Sequence, residues 1–586
     1  MKKKFILVLL FISSFLHAQP NYLKTWASYF GDESIKIADS EMDSQGNIYI
    51  VGKVQQNQNG QFNLTTPNAH QEVFGGGNSD GFIAKFSMEG NLLWATYFGG
   101  ENIDVIEAIS IDKYDNIYCI GATNSTQNIS TENAFQTQLE GLSAVFIVKL
   151  NPLGSVFWST YFGGNIGVAL NNGDVNSIFI RSSIINDTAN HFYIAFQTSS
   201  TNLATTGVFQ EIKNDAGSVI AKFSDTGNRV WATYYGSNAS YIASIDIGQT
   251  GLFLTGLTVD CPPTFTPNNY FATPNCHQPS PGSCSDTFIT KFSFDGQRIW
   301  STYYGGTSTE RNFNNNLKCN NGFVYVSGMT SSNTNITTPN SFQSTKINST
   351  YTNYLVKFNE NGERIWGSYV GENNNFTNFV TYYNSVRIKI FSDTIYLFGG
   401  TFLIENISTT NSFQPIINSI NDGYIIKFNP DGQREWGSYF GGNLDDQIMN
   451  VLFKNDSFFL LGRTQSQSGI TTAGALQPNF LYNNSPWAAL TIDNTFIARF
   501  DPNPLSLNDA VIADVNLYPN PNNGSFSISS IDKIETVEIV DMLGKLVFKN
   551  KNNSNEYNIN GISKGLYLVK VTFDNDKVLI KKMIVK

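Results

Sequence analysis

Histidine is scarce in this chain: four residues in 586, one of them, His17, in an apolar N-terminal run. A Ser-His-Asp triad or a histidine-built metal centre therefore has little to draw on. Cysteine is almost as sparse, at five. Cys119 and Cys319 lie in or beside strand-like runs and read as small buried hydrophobes. Cys261, Cys276 and Cys284 share one Pro-rich insertion at spacings of 15 and 8, unlike the Cys-x2-4-Cys pairs of a zinc site. A disulfide within this trio and free thiols are equal readings. Basic excess is missing as well. Lys and Arg number 37 against 47 Asp and Glu, a formal charge of −10. Setting aside three leader lysines and the last 72 residues, with their ten lysines and seven acids, leaves the rest near −16. A nucleic-acid partner would need a basic footprint.

Long apolar runs are also lacking. Only the segment from Phe5 to Phe15 stands out, and it is too short for a bilayer-spanning helix of about 20 residues. Three lysines precede it, and His17-Ala18 then Gln19-Pro20 follow it. That anatomy predicts a Sec signal peptide over residues 1–18. No cysteine sits near the cut, so lipid anchoring is not expected. The mature chain shows no long amphipathic helix pattern.

What the chain does have is a repeat. A tryptophan, a small residue, Ser or Thr, then tyrosine recurs from Trp26, Trp94, Trp158, Trp231, Trp300, Trp366 and Trp436. Consecutive tryptophans are 68, 64, 73, 69, 66 and 70 residues apart. A period this regular means an array of one supersecondary unit.

Each unit carries four strand signals: the tryptophan run (Leu92 to Phe98), a short apolar run (Ile106 to Ile111), an aromatic and β-branched run (Asn47 to Gly52), and the Phe82 to Phe86 type. Glu89-Gly90, Asp295-Gly296, Asn361-Gly362 and Asp431-Gly432 supply hairpin turns. A long connection ends in Thr-x-x-x-aromatic-Gln, at Gln71, Gln136, Gln210, Gln278, Gln343, Gln414 and Gln477. His70 and His277 occupy its aromatic slot and read as packing residues. In the tryptophan strand Trp and Tyr fall on opposite faces, so both faces need cover. Radially arranged four-stranded blades supply it. The first tryptophan strand lacks a preceding partner, and Phe496 to Phe500 lacks a following one. Together they complete one blade, which predicts seven blades over residues 19–506 with the last closed by both termini.

The motifs WATYFGG, D-x-x-G-N-I-Y-I-x-G and T-x-x-A-F-Q resemble the β-propeller repeats of exported bacterial proteins called SBBP repeats. Two copies depart from the pattern, with a longer loop over 165–176 and irregular sequence over 376–384. Pro502 and Pro504 lead into a linker, residues 507–514. The remainder, 515–586, is similar to the type A C-terminal sorting domain of the type IX secretion system in Bacteroidetes. The likeness rests on Tyr518, Pro519, Asn520, Pro521 and Gly524, on Gly544, on Gly565 and Tyr567, and on Lys581, Lys582 and Lys586. It implies recognition by an outer-membrane translocon, then release or surface attachment. The residues themselves read as a small Ig-like β-sandwich.

Chemistry is harder to find. No Gly-x-Ser-x-Gly elbow, His-Glu-x-x-His, P-loop or EF-hand loop stands out. Acids recur after the glycines that close the tryptophan strand: Asp32, Glu33, Glu101, Asp104, Glu310, Glu372, Asp445 and Asp446. They read either as a rim that binds a cation such as calcium or a basic partner, or as solvated loop acids capping turns, the preferred reading. A basic residue recurs in the Phe-Ile-x-Lys-Phe strand, at Lys85, Lys149, Lys222, Lys291, Lys357, Lys427 and Arg499, and reads as structural. The expectation is an exported, monomeric, non-catalytic propeller that binds protein or glycan and holds no cofactor. The alternative is a secreted polysaccharide hydrolase or lyase with carboxylates in the funnel. Unlike buried charges at the axis would favour the alternative; near-equivalent small apolar residues would disfavour it.

Overall fold

The computed structural model describes residues 22–503 apart from 33, 57–63, 169–181, 214–216, 238–239, 259–268, 313–314, 347–350, 372–384, 402–406 and 482–492, and residues 516–586 apart from 530–532, 542–544, 552–555, 560 and 574–577. The leader, the linker, Glu33, Glu372, Cys261 and Gly544 lie outside the described residues. One compact unit spans Asn21–Asn503 and another holds Pro504–Lys586. Nearly all regular structure is β; one 3-10 turn, Asn269–Phe271, interrupts it.

Blade 1 shows how a unit forms. Its strands are Ile35–Met42, Ile48–Gln55, Ser79–Phe86 and Leu92–Phe98, antiparallel in that order from the axis outward. Tight turns separate them where glycine reaches the left-handed region, as at Gly90 with φ of +85°. Blades 2 to 6 follow over 104–162, 183–235, 241–304, 310–370 and 385–440. Blade 7 combines Asp446–Lys454, Ser457–Thr464 and Asn494–Pro502 with the N-terminal strand Tyr22–Phe30. Trp26 there sits opposite Arg499, as Trp94 sits opposite Lys85 in blade 1. The orphan tryptophan strand does complete the last sheet.

The first strand of each blade packs on the first strand of the next, and that of blade 7 returns to blade 1. Closure leaves no sheet at an open end. Seven apolar cores fill the junctions between blades. Tyr49, Val51 and Phe98 of blade 1, for instance, share one with Ile106, Ile117 and Phe146 of blade 2. Burial on both faces explains why the strands do not alternate cleanly between apolar and polar.

The C-terminal unit has two antiparallel sheets. One contains Asn516–Tyr518, Ser525–Ser529 and Glu556–Asn558; the other Leu546–Asn550, Ile534–Asp541, Gly565–Phe573 and Val578–Val585. Phe526, Ile539, Val569 and Met583 belong to their common core. Tyr518 is exposed, whereas Asn520 is fixed on both sides. Its amide donates to Lys582 O at 2.7 Å, and its Oδ1 accepts from Ile584 N at 2.9 Å. Gly524 takes a φ of +101°. Tyr567 is buried and donates to Ser563 O.

Candidate functional site: the long-loop rim and the axis

Antiparallel order places two kinds of loop on one rim of the ring: those from the fourth strand to the next blade, and the long connections from second to third strand. The Thr-x-x-x-aromatic-Gln signature anchors the latter. Tyr97 N donates to Gln71 O at 3.1 Å, Gln71 N donates to Thr96 Oγ1 at 2.9 Å, and Gly99 N donates to Gln71 Oε1 at 3.0 Å. The glycine bond repeats at Gln136, Gln278, Gln343, Gln414 and Gln477, each accepting from the glycine that closes its tryptophan strand. Each long loop therefore pairs with the outer edge of its blade and covers it. His70 stacks on Phe98 and His277 packs on Phe358. Burial lowers both, His277 to about 4, so they sit neutral among rings. Cys276 and Cys284 carry free thiols.

The acids foreseen here separate by environment. Asp32, Asp104, Glu310 and Asp446 are buried, Asp445 is half-buried, and Glu101 is exposed. Glu101 caps the next loop, accepting from Thr126 N at 2.8 Å and Thr126 Oγ1 at 2.7 Å. Asp32 accepts from Ser34 N at 2.9 Å. The structure adds acids that the sequence reading missed: Asp80, Asp286 and Asp422, which begin third strands and face Asp104, Glu310 and Asp446. Their signal was available, since each lies five residues before the repeat lysine.

Those lysines grip the neighbouring blade at the opposite rim. Lys85 Nζ and Trp94 Nε1 both donate to Pro152 O, at 3.1 and 3.2 Å. Lys149 with Trp158, Lys291 with Trp300, and Lys357 with Trp366 do the same to Asp225, Glu360 and Pro430. The ammonium also lies over the second-strand aromatic, Lys85 at 4.9 Å from the Tyr49 ring centroid.

At the axis the seven first strands bring unlike charged groups together rather than equivalent small residues. Asp39, Glu41, Glu107, Lys318 and Lys389 line a cavity of about 50 Å³. Lys389 Nζ bonds Glu41 Oε1 at 2.8 Å. Burial pushes Glu41 up, but the Lys389 ammonium, Lys318 and the Met42 N–H together hold the carboxyl below its ordinary value. Asp39, half-buried beside Glu41, rises to about 6. Burial lifts Glu107 to about 8 despite bonds from Ser182. Burial draws Lys318 down, but Asp246, Glu41 and Asp39 together raise it. A saccharide needs a pocket several times larger, on the order of 300 Å³ or more.

The long-loop rim also exposes large aliphatic side chains. Val73, Leu142, Ile212, Ile416 and Ile420 are 74%, 84%, 80%, 69% and 71% exposed. Glu72 and Glu211 adjoin Val73 and Ile212, and Glu140 lies two residues before Leu142. Among the described residues no group of three or more His, Cys, Asp or Glu is placed to hold a metal. No described helix is long and apolar enough to cross a membrane, which says nothing of β-barrels.

Comparison with known families places this architecture. Residues 93–128 match the beta-propeller repeat family SBBP, and residues 516–586 match the secretion system C-terminal sorting domain. The chain is thus an exported β-propeller repeat protein whose type IX sorting domain directs it to the cell surface or the medium. Among curated proteins, an ulvan lyase of Nonlabens ulvanivorans is 35% identical over 114 residues, 18% of this chain and 21% of that protein. An endo-acting ulvan lyase of Formosa agariphila is 27% identical over 161 residues, 27% of this chain and 28% of that one. A WD repeat-containing protein of Acanthamoeba polyphaga mimivirus is 24% identical over 534 residues, 81% of this chain and 32% of its own. The matches thus span between a fifth and a third of these relatives. Among solved structures, a phage phi92 endosialidase is 10% identical with a TM-score of 0.36, covering 94% of this chain and 87% of its own. A protein of unknown function from Dyadobacter fermentans is 8% identical with a TM-score of 0.36, covering 83% and 100%.

Proposed function

We propose that the propeller is a non-catalytic binding module that holds a protein outside the cell through its long-loop rim. The observation that carries this is the set of aliphatic side chains from Val73 to Ile420, solvent-exposed around one rim. Contiguous exposed apolar surface rimmed by polar residues marks macromolecular contact sites, and these side chains lie in long loops of four blades on that one rim. Their chemistry favours protein over glycan, because sugars dock on aromatic faces and these five positions hold none. The acids beside them select a partner with basic residues around an apolar patch. Replacing Ile212 and Ile416 by Asp should abolish binding of the purified protein to protease-sensitive sites on the producing cells. Unchanged binding would reject the rim.

A second reading follows from the axis. Unlike charges there, Glu107 buried and the others half-buried, together with local likeness to two ulvan lyases, suit a polysaccharide-acting enzyme. The 50 Å³ cavity weighs against it. Incubation with ulvan and other acidic polysaccharides tests this directly. We expect neither unsaturated products nor new reducing ends, and turnover lost in Glu107→Gln would establish the enzyme instead.

A further inference from the structure

Asp80 and Asp104 meet at the junction of blades 1 and 2 over the backbone of Gly99. A Cβ built on that glycine would lie 2.6 Å from Asp80 Oδ1 and 2.9 Å from Asp104 Oδ2. The arrangement recurs at blades 4 and 5, where Gly305 lies 2.9 Å from Asp286 Oδ1 and 2.5 Å from Glu310 Oε2 by the same measure. It recurs again at blades 6 and 7, with Gly441 at 2.6 Å from Asp422 Oδ1 and 2.7 Å from Asp446 Oδ2. All six acids are fully buried.

Four of the six acids have protein donors on one oxygen only, whereas Asp286 and Asp422 accept on both, their Oδ1 atoms from Ser283 Oγ at 2.8 Å and Ser419 Oγ at 2.9 Å. Gly75 N reaches Asp80 Oδ2 at 2.6 Å, and Gly100 N and Ser125 Oγ reach Asp104 Oδ2 at 2.7 and 2.8 Å. Ser332 and Thr330 hold Glu310 Oε1, and Gly442 N and Ser466 hold Asp446 Oδ2. Asp80 Oδ1, Asp104 Oδ1, Glu310 Oε2 and Asp446 Oδ1 receive no donor from the protein. A buried carboxylate oxygen left bare is strongly disfavoured.

The seven repeats act as an internal alignment of these two positions. At other junctions whose residues are described, Ala144 stands with Val168, Gly217 with Ser240, and Asn494 with Ile35. None of these six residues is an acid, so among the described junctions the two acids occur together or not at all. Two carboxylates sharing a buried site do not both ionise freely, and one is driven toward its protonated form. Two carboxylates fall short of the six to eight oxygens calcium takes.

We propose that each of the three pairs holds one proton between its two carboxyl groups, stapling adjacent blades, and that its loss with rising pH loosens those three junctions. Burial raises Asp80 to about 7 and Glu310 and Asp446 to about 8, the partner's charge adding in each case. Burial raises Asp104 to about 6, with Glu101 adding. Other titratable groups facing the pairs are Tyr97, Tyr161 and Glu101 at the first, and Tyr304, Tyr354, Tyr369 and Lys346 at the second. At the third they are Asp445 and Lys24. A carboxyl raised on folding binds more protons folded than unfolded. Its stabilisation is therefore complete below the unfolded carboxyl range and declines as pH climbs through the raised values.

The test compares melting temperatures between about pH 5 and pH 9 for the full protein and for the triple variant Asp80→Asn, Asp286→Asn, Asp422→Asn. Asparagine supplies a permanent donor in place of the shared proton. The parent should lose several degrees toward the alkaline end and the variant should lose far less. An equal loss in both would overturn the proposal. Infrared spectra in a Glu107→Gln background, which removes the other carboxyl raised to about 8, provide a reading independent of the triple variant's folding: a protonated-carboxyl stretch at neutral pH that disappears by about pH 9.5 is expected, and its absence refutes the shared protons. Millimolar calcium that restores the alkaline melting temperature of the parent but not of the variant would assign the pairs to a cation and likewise overturn the proposal.

Discussion

Trp94 of blade 1 packs against Gly154 of blade 2 so closely that a Cβ on the glycine would stand 3.2 Å from the indole ring. The glycine has a φ of +87°, and its turn also offers the Pro152 carbonyl to the indole N–H. The same relationship joins Trp158 to Gly227, Trp231 to Gly296, Trp300 to Gly362, Trp366 to Gly432, and, across the termini, Trp26 to Gly90. Trp436 is the exception, and its reason is topological. The third and fourth strands of blade 7 come from opposite ends of the Asn21–Asn503 unit, so no tight turn joins them and no turn glycine stands there. Its N–H turns to Asn411 O at 3.3 Å, and the Tyr22 ring meets it edge-on at 5.6 Å.

Gly154→Ala should therefore destabilise the propeller by about 2 kcal/mol, combining left-handed backbone strain with displacement of the Trp94 ring. Gly207→Ala makes the control. That residue has a similar φ of +81° but nothing within 4 Å of its Cβ position, so about 1 kcal/mol is expected. Denaturant unfolding of both variants measures the difference.

Glu107 should make stability fall with alkalinity at the axis. Its carboxyl is raised to about 8 by burial, so the folded form holds a proton that the unfolded form releases from about pH 4.5 upward. Stability from this group is lost as pH rises to that value. Glu107→Gln should be more stable than the parent above about pH 8, on the order of 2 kcal/mol, with the gap closing near pH 5. Urea unfolding at both pH values checks the sign.

Removing residues 516–586 should leave the propeller folded and stop its passage across the outer membrane. Its blades have their own cores, and the sorting domain has a separate one. Fractionation should find the truncated chain in the periplasm, with melting behaviour close to that of the intact protein.

Much of this architecture was readable from spacing. The tryptophan period marked the units, and the unmatched strands at Trp26 and Phe496 pointed to the closing blade, which the register of Trp26 with Arg499 displays. The packing roles of His70 and His277 followed from their place in the repeat. The pairing of the buried acids was not readable, although the positions of Asp80, Asp286 and Asp422 five residues before the repeat lysine were, because the members of a pair lie 24 residues apart and meet only when one blade packs on the next. Asp104, Glu310 and Asp446 were seen as loop acids, whereas Asp80, Asp286 and Asp422 disappeared into strand starts. The axial charges were also hidden. First strands are the least regular part of the repeat, and their side chains converge only through ring closure.

The most direct test of the central claim is site-specific photo-crosslinking on the exporting cell. A photoreactive residue replaces Ile212 or Ile416 on the long-loop rim, with Leu153, 82% exposed on the opposite rim, as the control. The account predicts a discrete protein adduct from both long-loop positions and none from Leu153. Equal labelling from the two rims, or no adduct from Ile212 and Ile416, would contradict it.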